Sequence, residues 1–154
     1  MGPTNSLSYL IQHLAAVIGK QSDQVLQEQL GIGLSQYKIL IVLEWNPRTG
    51  QRAIADSLGH SEAGISRQIK LLKSKGLLVS KLDPDNRRKH ITAPTPLGMQ
   101  ITEAATSILR RSLGPGFASL GEDQLLQLIN GLQQLHKVTC RAGKLGACDH
   151  QLGF

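Results

Sequence analysis

Between Lys75 and Ala93 the chain changes its hydrophobic period, and that change constrains the architecture more than any other feature. On both sides of this stretch apolar residues recur at three and four, the spacing of one helix face. Within it, Leu77-Leu78-Val79-Ser80-Lys81-Leu82 and Lys89-His90-Ile91-Thr92-Ala93 read as two strands around Asp83-Pro84-Asp85-Asn86. That tetrad is a turn signal with its own chemistry. Proline presets φ, and Asp and Asn side chains bond back to the backbone. The expected fold is mainly α with one projecting β-hairpin.

The helical blocks can be placed around the hairpin. Leu7, Leu10, Ile11, Leu14, Val17 and Ile18 line one face of a helix from about Thr4 to Leu30, ended by Gly31 and Gly33; Met1 to Ser6 reads as a disordered start. Ser35 is expected to cap a second helix with Ile39, Leu40, Val42 and Leu43 on its apolar face, stopped by Asn46-Pro47. A short helix over Arg52–Leu58 closes at Gly59. Ser61 then caps Glu62–Lys75, whose inward face is Ile65, Ile69 and Leu72, and Gly76 follows it. After the hairpin, Thr95 and Pro96 start a helix expected to end near Leu113, where Gly114-Pro115-Gly116 should break it. A last helix begins near Gly121-Glu122. Its stripe of Leu125, Leu128, Leu132, Leu135 and Thr139 suits helix–helix packing. From Ala142 the Gly-rich tail is expected to be mobile.

The middle of the chain follows helix-turn-helix logic. Ala55 is small where two helices would cross, Gly59 is the turn residue, and Ile65 seats the second helix on the first. In such a unit the second helix enters the major groove. Its outward residues near the N-terminal end are Glu62, Ala63, Gly64, Ser66 and Arg67, with Lys70 one turn later. Arg67 is the candidate for a guanine, since its fork can bond two acceptors on one base edge. Ser66 can reach a base or phosphate, and Ala63 and Gly64 let the backbone approach the groove.

Charge points the same way. Residues 67–90 hold eight cations (Arg67, Lys70, Lys73, Lys75, Lys81, Arg87, Arg88 and Lys89) against two acids, Asp83 and Asp85; their excess equals the whole chain's net charge of +6. A solvated charged face is the bland alternative. With a helix-turn-helix and a basic hairpin in sequence, a double-stranded DNA surface is the stronger reading. Arg87, Arg88 and Lys89 at the hairpin suit a minor groove or its phosphates. Lys73 and Lys75 suit either phosphates or the helix dipole. Only five aromatic residues are present, too few for the stacking platforms of single-strand binders.

With these residues assembled, the chain resembles the MarR (multiple antibiotic resistance regulator) family of bacterial winged helix-turn-helix transcription factors. The resemblance rests on Leu34-Ser35-Gln36-Tyr37, Ala55-Asp56-Ser57-Leu58-Gly59, Leu72-Lys73-Ser74-Lys75-Gly76-Leu77 and Asp83-Pro84-Asp85-Asn86-Arg87-Arg88. It implies an N-terminal dimerisation helix over 1–33, a winged helix-turn-helix domain over 34–94, and C-terminal dimerisation helices and tail over 95–154. It implies a homodimer binding a pseudo-palindromic operator, most often as a repressor, with Arg88 in place of the minor-groove arginine. The long apolar stripes of both terminal blocks independently favour a dimer. Two departures stand out. Asn86 replaces the acid that commonly braces the wing by ion pairing, so a less firmly held wing is expected. Pro94 replaces an apolar Leu, so a shortened second wing strand is expected.

No phosphate loop, nucleophile elbow or recognisable carboxylate pair argues for an enzyme. A winged helix used for protein contact is the competing class, and the basic Arg87-Arg88-Lys89 tip argues against it. No cofactor is required. The resemblance implies a small-molecule effector in a cleft between dimer arms and winged domain, or else a response to thiol oxidation or zinc. His136, Cys140, Cys148 and His150 could together ligate zinc, or be ordinary helix and tail residues. Cys140 or Cys148 could instead sense oxidants beside Arg141 and Lys144, and His13 is left between the cleft and solvent. No run of apolar residues suits a membrane span and no secretory signal is evident, so a cytoplasmic protein with reduced thiols is expected.

Overall fold

The computed structural model describes residues 2–140. Six helices and one hairpin follow the order α1 (Pro3–Leu30), α2 (Leu34–Trp45), α3 (Gln51–Leu58), α4 (Glu62–Ser74), β1 (Leu78–Asp83), β2 (Asn86–Pro94), α5 (Pro96–Ala118) and α6 (Glu122–Thr139). The core gathers where α1 ends. Leu26, Ile32, Ile39, Leu40, Leu43, Ile54, Ile65 and Leu72 are fully buried, and Ala105 and Ile108 of α5 close the cluster. These are the inward faces that the three-and-four spacing marks on α2 and α4.

Several helix ends differ from expectation. The N-terminal segment is helical from Pro3, because proline is well suited to the first helical position. Ser35 does not cap α2. The helix starts two residues earlier, with Gly33 at the N-cap, and Leu34 N–H donates to Asp23 Oδ1 of α1 at 2.8 Å. A carboxylate from a neighbouring helix has taken the capping role. At the far end of the chain, Gly114-Pro115-Gly116 does not break α5, which runs on to Ala118. Pro115 is exposed, so water can reach the carbonyl that loses its donor there.

Other signals hold. Gly31, Gly59 and Gly76 adopt left-handed φ values of 64°, 67° and 72° and end their helices. Ser61 Oγ accepts from Gly64 N–H at 3.1 Å, and Thr95 Oγ1 accepts from Gly98 N–H at 3.0 Å, capping α4 and α5. Thr95 also donates to Gly76 O at 2.6 Å. This fastens the α4–β1 corner to the start of α5, leaving Gly98 directly over the Leu77 carbonyl.

Beyond the core the two terminal helices are apolar outward. Leu7, Leu10, Ile11 and Leu14 of α1 are exposed, and α6 contains no buried residue. The hairpin strands pair antiparallel from Leu78↔Pro94 to Leu82↔His90, so Pro94 ends β2 in register with Leu78 and does not shorten it.

Candidate nucleic-acid interface

Helix α4 lies on α3 through Ile65, Ile69 and Leu72, with Ala55 of α3 also buried. That seating turns the other side of α4 outward. Ala63, Arg67 and Lys70 are exposed, while Gly64 and Ser66 are half-buried. Gly64 has a local role besides smallness. A Cβ there would come within 3.1 Å of Ser61 Oγ, the oxygen that caps the helix. In the α3–α4 turn, His60 Nε2 lies 3.1 Å from Ser35 Oγ, so Ser35 serves the turn and not a cap.

The wing has a geometry that its sequence does not suggest. The turn is only Pro84-Asp85, since Asp83 and Asn86 pair across it. The ladder steps from Leu82↔His90 to Asp83↔Asn86, so Arg87, Arg88 and Lys89 fill a break in register with no residue of β1 directly opposite. A bulged, irregular strand bends the hairpin and re-aims its side chains. All three cations are exposed. Arg88 N–H donates to Asn86 Oδ1 at 3.2 Å, so Asn86 orders the turn into the basic segment by a neutral bond.

The ionic brace comes from Asp83. Arg48, in the loop between α2 and α3, donates from Nε to Asp83 Oδ2 at 3.0 Å and from Nη2 to Asp83 Oδ1 at 2.9 Å; it also pairs with Asp85. The expectation of a weakly held wing, drawn from Asn86, therefore does not hold. The Arg48 hydrogen bonds, then the Asp85 N–H, hold the Asp83 carboxyl at about 2, below its ordinary 3.8. The same pairing raises the Arg48 guanidinium. Both acids of residues 67–90 are thus engaged by a cation outside that window, Asp83 buried and Asp85 still exposed. Arg48 carries no local sequence signal. Only the unexplained pair of acids at a turn hints that a cation must come from elsewhere.

Lys73 and Lys75 are placed differently from each other. Lys73 Nζ donates to Ser80 Oγ of β1 at 2.6 Å, joining the helix to the wing. Lys75 Nζ donates to the carbonyl of Gly31, at the end of α1, at 2.7 Å. It supports the dipole of another helix, not of its own.

A concavity lies between α2 and α5. It encloses about 810 Å³ and is bordered by Ile41, Trp45, Met99, Glu103 and Arg110, with Trp45 76% exposed. Among the described residues no group of three or more His, Cys, Asp and Glu side chains is arranged to hold a metal. Cys140 N–H donates to His136 O at 2.8 Å as α6 ends, and Cys148 and His150 lie outside the described residues. His13 stacks on Tyr9 one turn earlier, with ring centroids 5.7 Å apart. No helix among the described residues is long and apolar enough to cross a membrane.

Residues 34–79 match the winged helix-turn-helix DNA-binding family. A curated relative from Thauera aromatica, whose name assigns it to transcriptional regulation of the hcr operon, is 27% identical over 107 residues; the match covers 70% of this chain and 64% of the relative, less than two thirds of its length. Among crystal structures, CouR of Rhodococcus jostii RHA1 bound to p-coumaroyl-CoA superposes with a TM-score of 0.74 at 20% identity, covering 88% of this chain and 94% of CouR. A MarR-family regulator from Rhodococcus sp. RHA1 gives 0.73 at 20%, covering 88% and 95%. The S. aureus MepR–DNA complex gives 0.69 at 24%, covering 85% and 96%. These likenesses show the fold, which this chain shares with crystal structures of MarR-family regulators.

Proposed function

From a winged helix-turn-helix set in a MarR-type fold, we propose that this chain is a homodimeric, sequence-specific regulator that binds double-stranded DNA at a pseudo-palindromic operator, as a repressor. One observation carries the reading. Arg87, Arg88 and Lys89 are exposed in a register break beside a reading helix with outward Arg67 and Lys70, while both nearby acids are occupied by Arg48. In this reading Arg67 contacts a base edge, with Ala63, Gly64 and Ser66 at the groove floor and Lys70 beside them. Arg87, Arg88 and Lys89 meet the minor groove or its phosphates. Lys73 is left a phosphate role by its position at the wing; Lys75 is not favoured for one, because its ammonium is on Gly31 O.

The division of labour follows. Residues 34–94 read DNA, and 1–33 with 95–154 hold two copies together through the outward apolar faces of α1 and α6. Such a dimer sets two reading helices about one DNA turn apart, ~34 Å. The α2–α5 concavity is the candidate effector cleft, and the acyl-CoA bound to CouR makes a small organic ligand the class to try first.

The test is selection of duplexes from a random-sequence pool by the full chain, followed by titration against salt. A recovered two-fold motif, with log affinity falling linearly in log salt, supports the reading. Recovery of no motif, or binding indifferent to salt, overturns it.

A further inference from the structure

The buried side chain of Gln36 stands at a junction of three helices. Its Oε1 accepts from Gly33 N–H at 3.3 Å and lies 3.5 Å from Lys75 Nζ, itself 2.7 Å from Gly31 O. With donors on that side, the amide orientation is fixed, and Nε2 faces α4 and donates to Gln68 Oε1 at 2.9 Å. Gln36 is 8% exposed, and no buried side-chain polar atom among the described residues lacks a partner. One amide thus joins the start of α2 to the middle of α4, and Lys75 links it to the end of α1.

Gln68 follows Arg67 directly. The other contacts that seat α4 are apolar: Ile65, Ile69 and Leu72 press on the core, and such packing is not directional. Hydrogen bonds are directional and weaken steeply as they misalign. Ser61 fixes the N-terminal end of α4, and Lys73 and Lys75 fix the other. Among the described residues, only the Gln36–Gln68 side-chain bond acts at the turn that carries Arg67. A two-pronged contact to one base edge tolerates little rotation of the helix that bears it.

We propose that Gln36 is a positioning residue for sequence readout: it sets the rotation of α4 through Gln68 and so aims Arg67, without touching DNA. The inference rests on the DNA-binding reading above. It also makes the α1–α2 junction part of the readout apparatus, because the amide is oriented by Gly33 and Lys75.

The experiment uses the full chain, the duplex it recovers from a random pool, and a scrambled duplex of equal length. Gln36→Met keeps the length of the side chain and removes its hydrogen bonds. Affinity for the recovered duplex should fall about tenfold, the scale of one bond, while affinity for the scrambled duplex and its salt slope stay unchanged. Gln68→Met should do the same, and the double variant should lose no more than either single variant. Should Gln36→Met fail to fold, Gln68→Met, on a half-buried site, reads the same bond. Equal losses on both duplexes, no loss on either, or additive losses in the double variant would overturn the proposal. A wild-type chain that recovers no motif overturns the DNA reading itself, and this inference with it.

Discussion

Arg48 grips Asp83 through two nearly parallel hydrogen bonds across 35 positions of sequence, and the Asp83 side chain is buried in doing so while Arg48 stays half exposed. The pair anchors the base of the wing to the loop that ends α2. The basic register break of Arg87, Arg88 and Lys89 begins immediately beyond that anchor.

The anchor predicts an acid-sensitive wing. Asp83 titrates at about 2 in the folded chain, against 3.8 for an unperturbed aspartate. A folded value below the unfolded one means the unfolded chain takes up protons first. The contribution is therefore complete above the unfolded value, is lost as pH falls from 3.8 toward 2, and is gone below that. Urea unfolding of wild type and Asp83→Asn at a series of pH values should show a constant gap near neutrality that closes across this window. A gap that does not change with pH would mean that Asp83 is not the titrating anchor.

Gly98 predicts a packing failure. A Cβ at this position would lie 2.1 Å from the Leu77 carbonyl oxygen, a backbone atom that also accepts from Thr95 N–H. Gly98→Ala should cost toward the upper end of about 1–3 kcal/mol, the range for forced overpacking. Gly19→Ala, inside α1 with nothing within 4 Å of the added carbon, should gain roughly 0.5–1 kcal/mol. Denaturant midpoints of both variants check the contrast, and similar midpoints would refute it.

What could be read from sequence was local. Ser61, Thr95, Gly59 and Gly76 announce helix ends through their own backbone chemistry, and the change of period announces the wing. What could not be read depends on residues far apart in the chain: Asp23 capping α2, Arg48 bracing the wing, Lys75 reaching Gly31, and Leu77 requiring Gly98. The register break escaped for another reason. Alternation marks a strand but does not say which residues lie opposite it. Gly114-Pro115-Gly116 misled because breaker residues signal a tendency, and an exposed turn of α5 tolerates them.

The basic residues should separate in their salt dependence. Arg88→Ala should weaken binding to every duplex and lower the salt slope by about one phosphate's worth. Arg67→Ala should cost ~1–3 kcal/mol on the recovered motif and relax preference at one position. Lys75→Met should leave the salt slope unchanged and lower folding stability by about 0.5–1.5 kcal/mol, because its ammonium bonds a helix-end carbonyl. A reduced slope for Lys75→Met would return it to the phosphate contacts.

The outward apolar faces make the last prediction. α6 buries none of its residues within the chain, and Leu128 and Leu132 are exposed on the stripe that runs along it. Helices in proteins draw most of their stability from packing an apolar face, so a surface that covers the stripe is expected. If a second copy covers it, replacing both leucines by glutamate alters four positions of the dimer. At ~1.5–3 kcal/mol per leucine the loss is roughly 6–12 kcal/mol, comparable to the whole free energy of a micromolar dimer at about 8 kcal/mol. The double variant Leu128→Glu/Leu132→Glu should therefore sediment as a monomer and bind the recovered motif no better than a single half-site. Its core should still unfold cooperatively, since α6 adds no buried residue to that core. A variant that remains dimeric would move the interface away from α6.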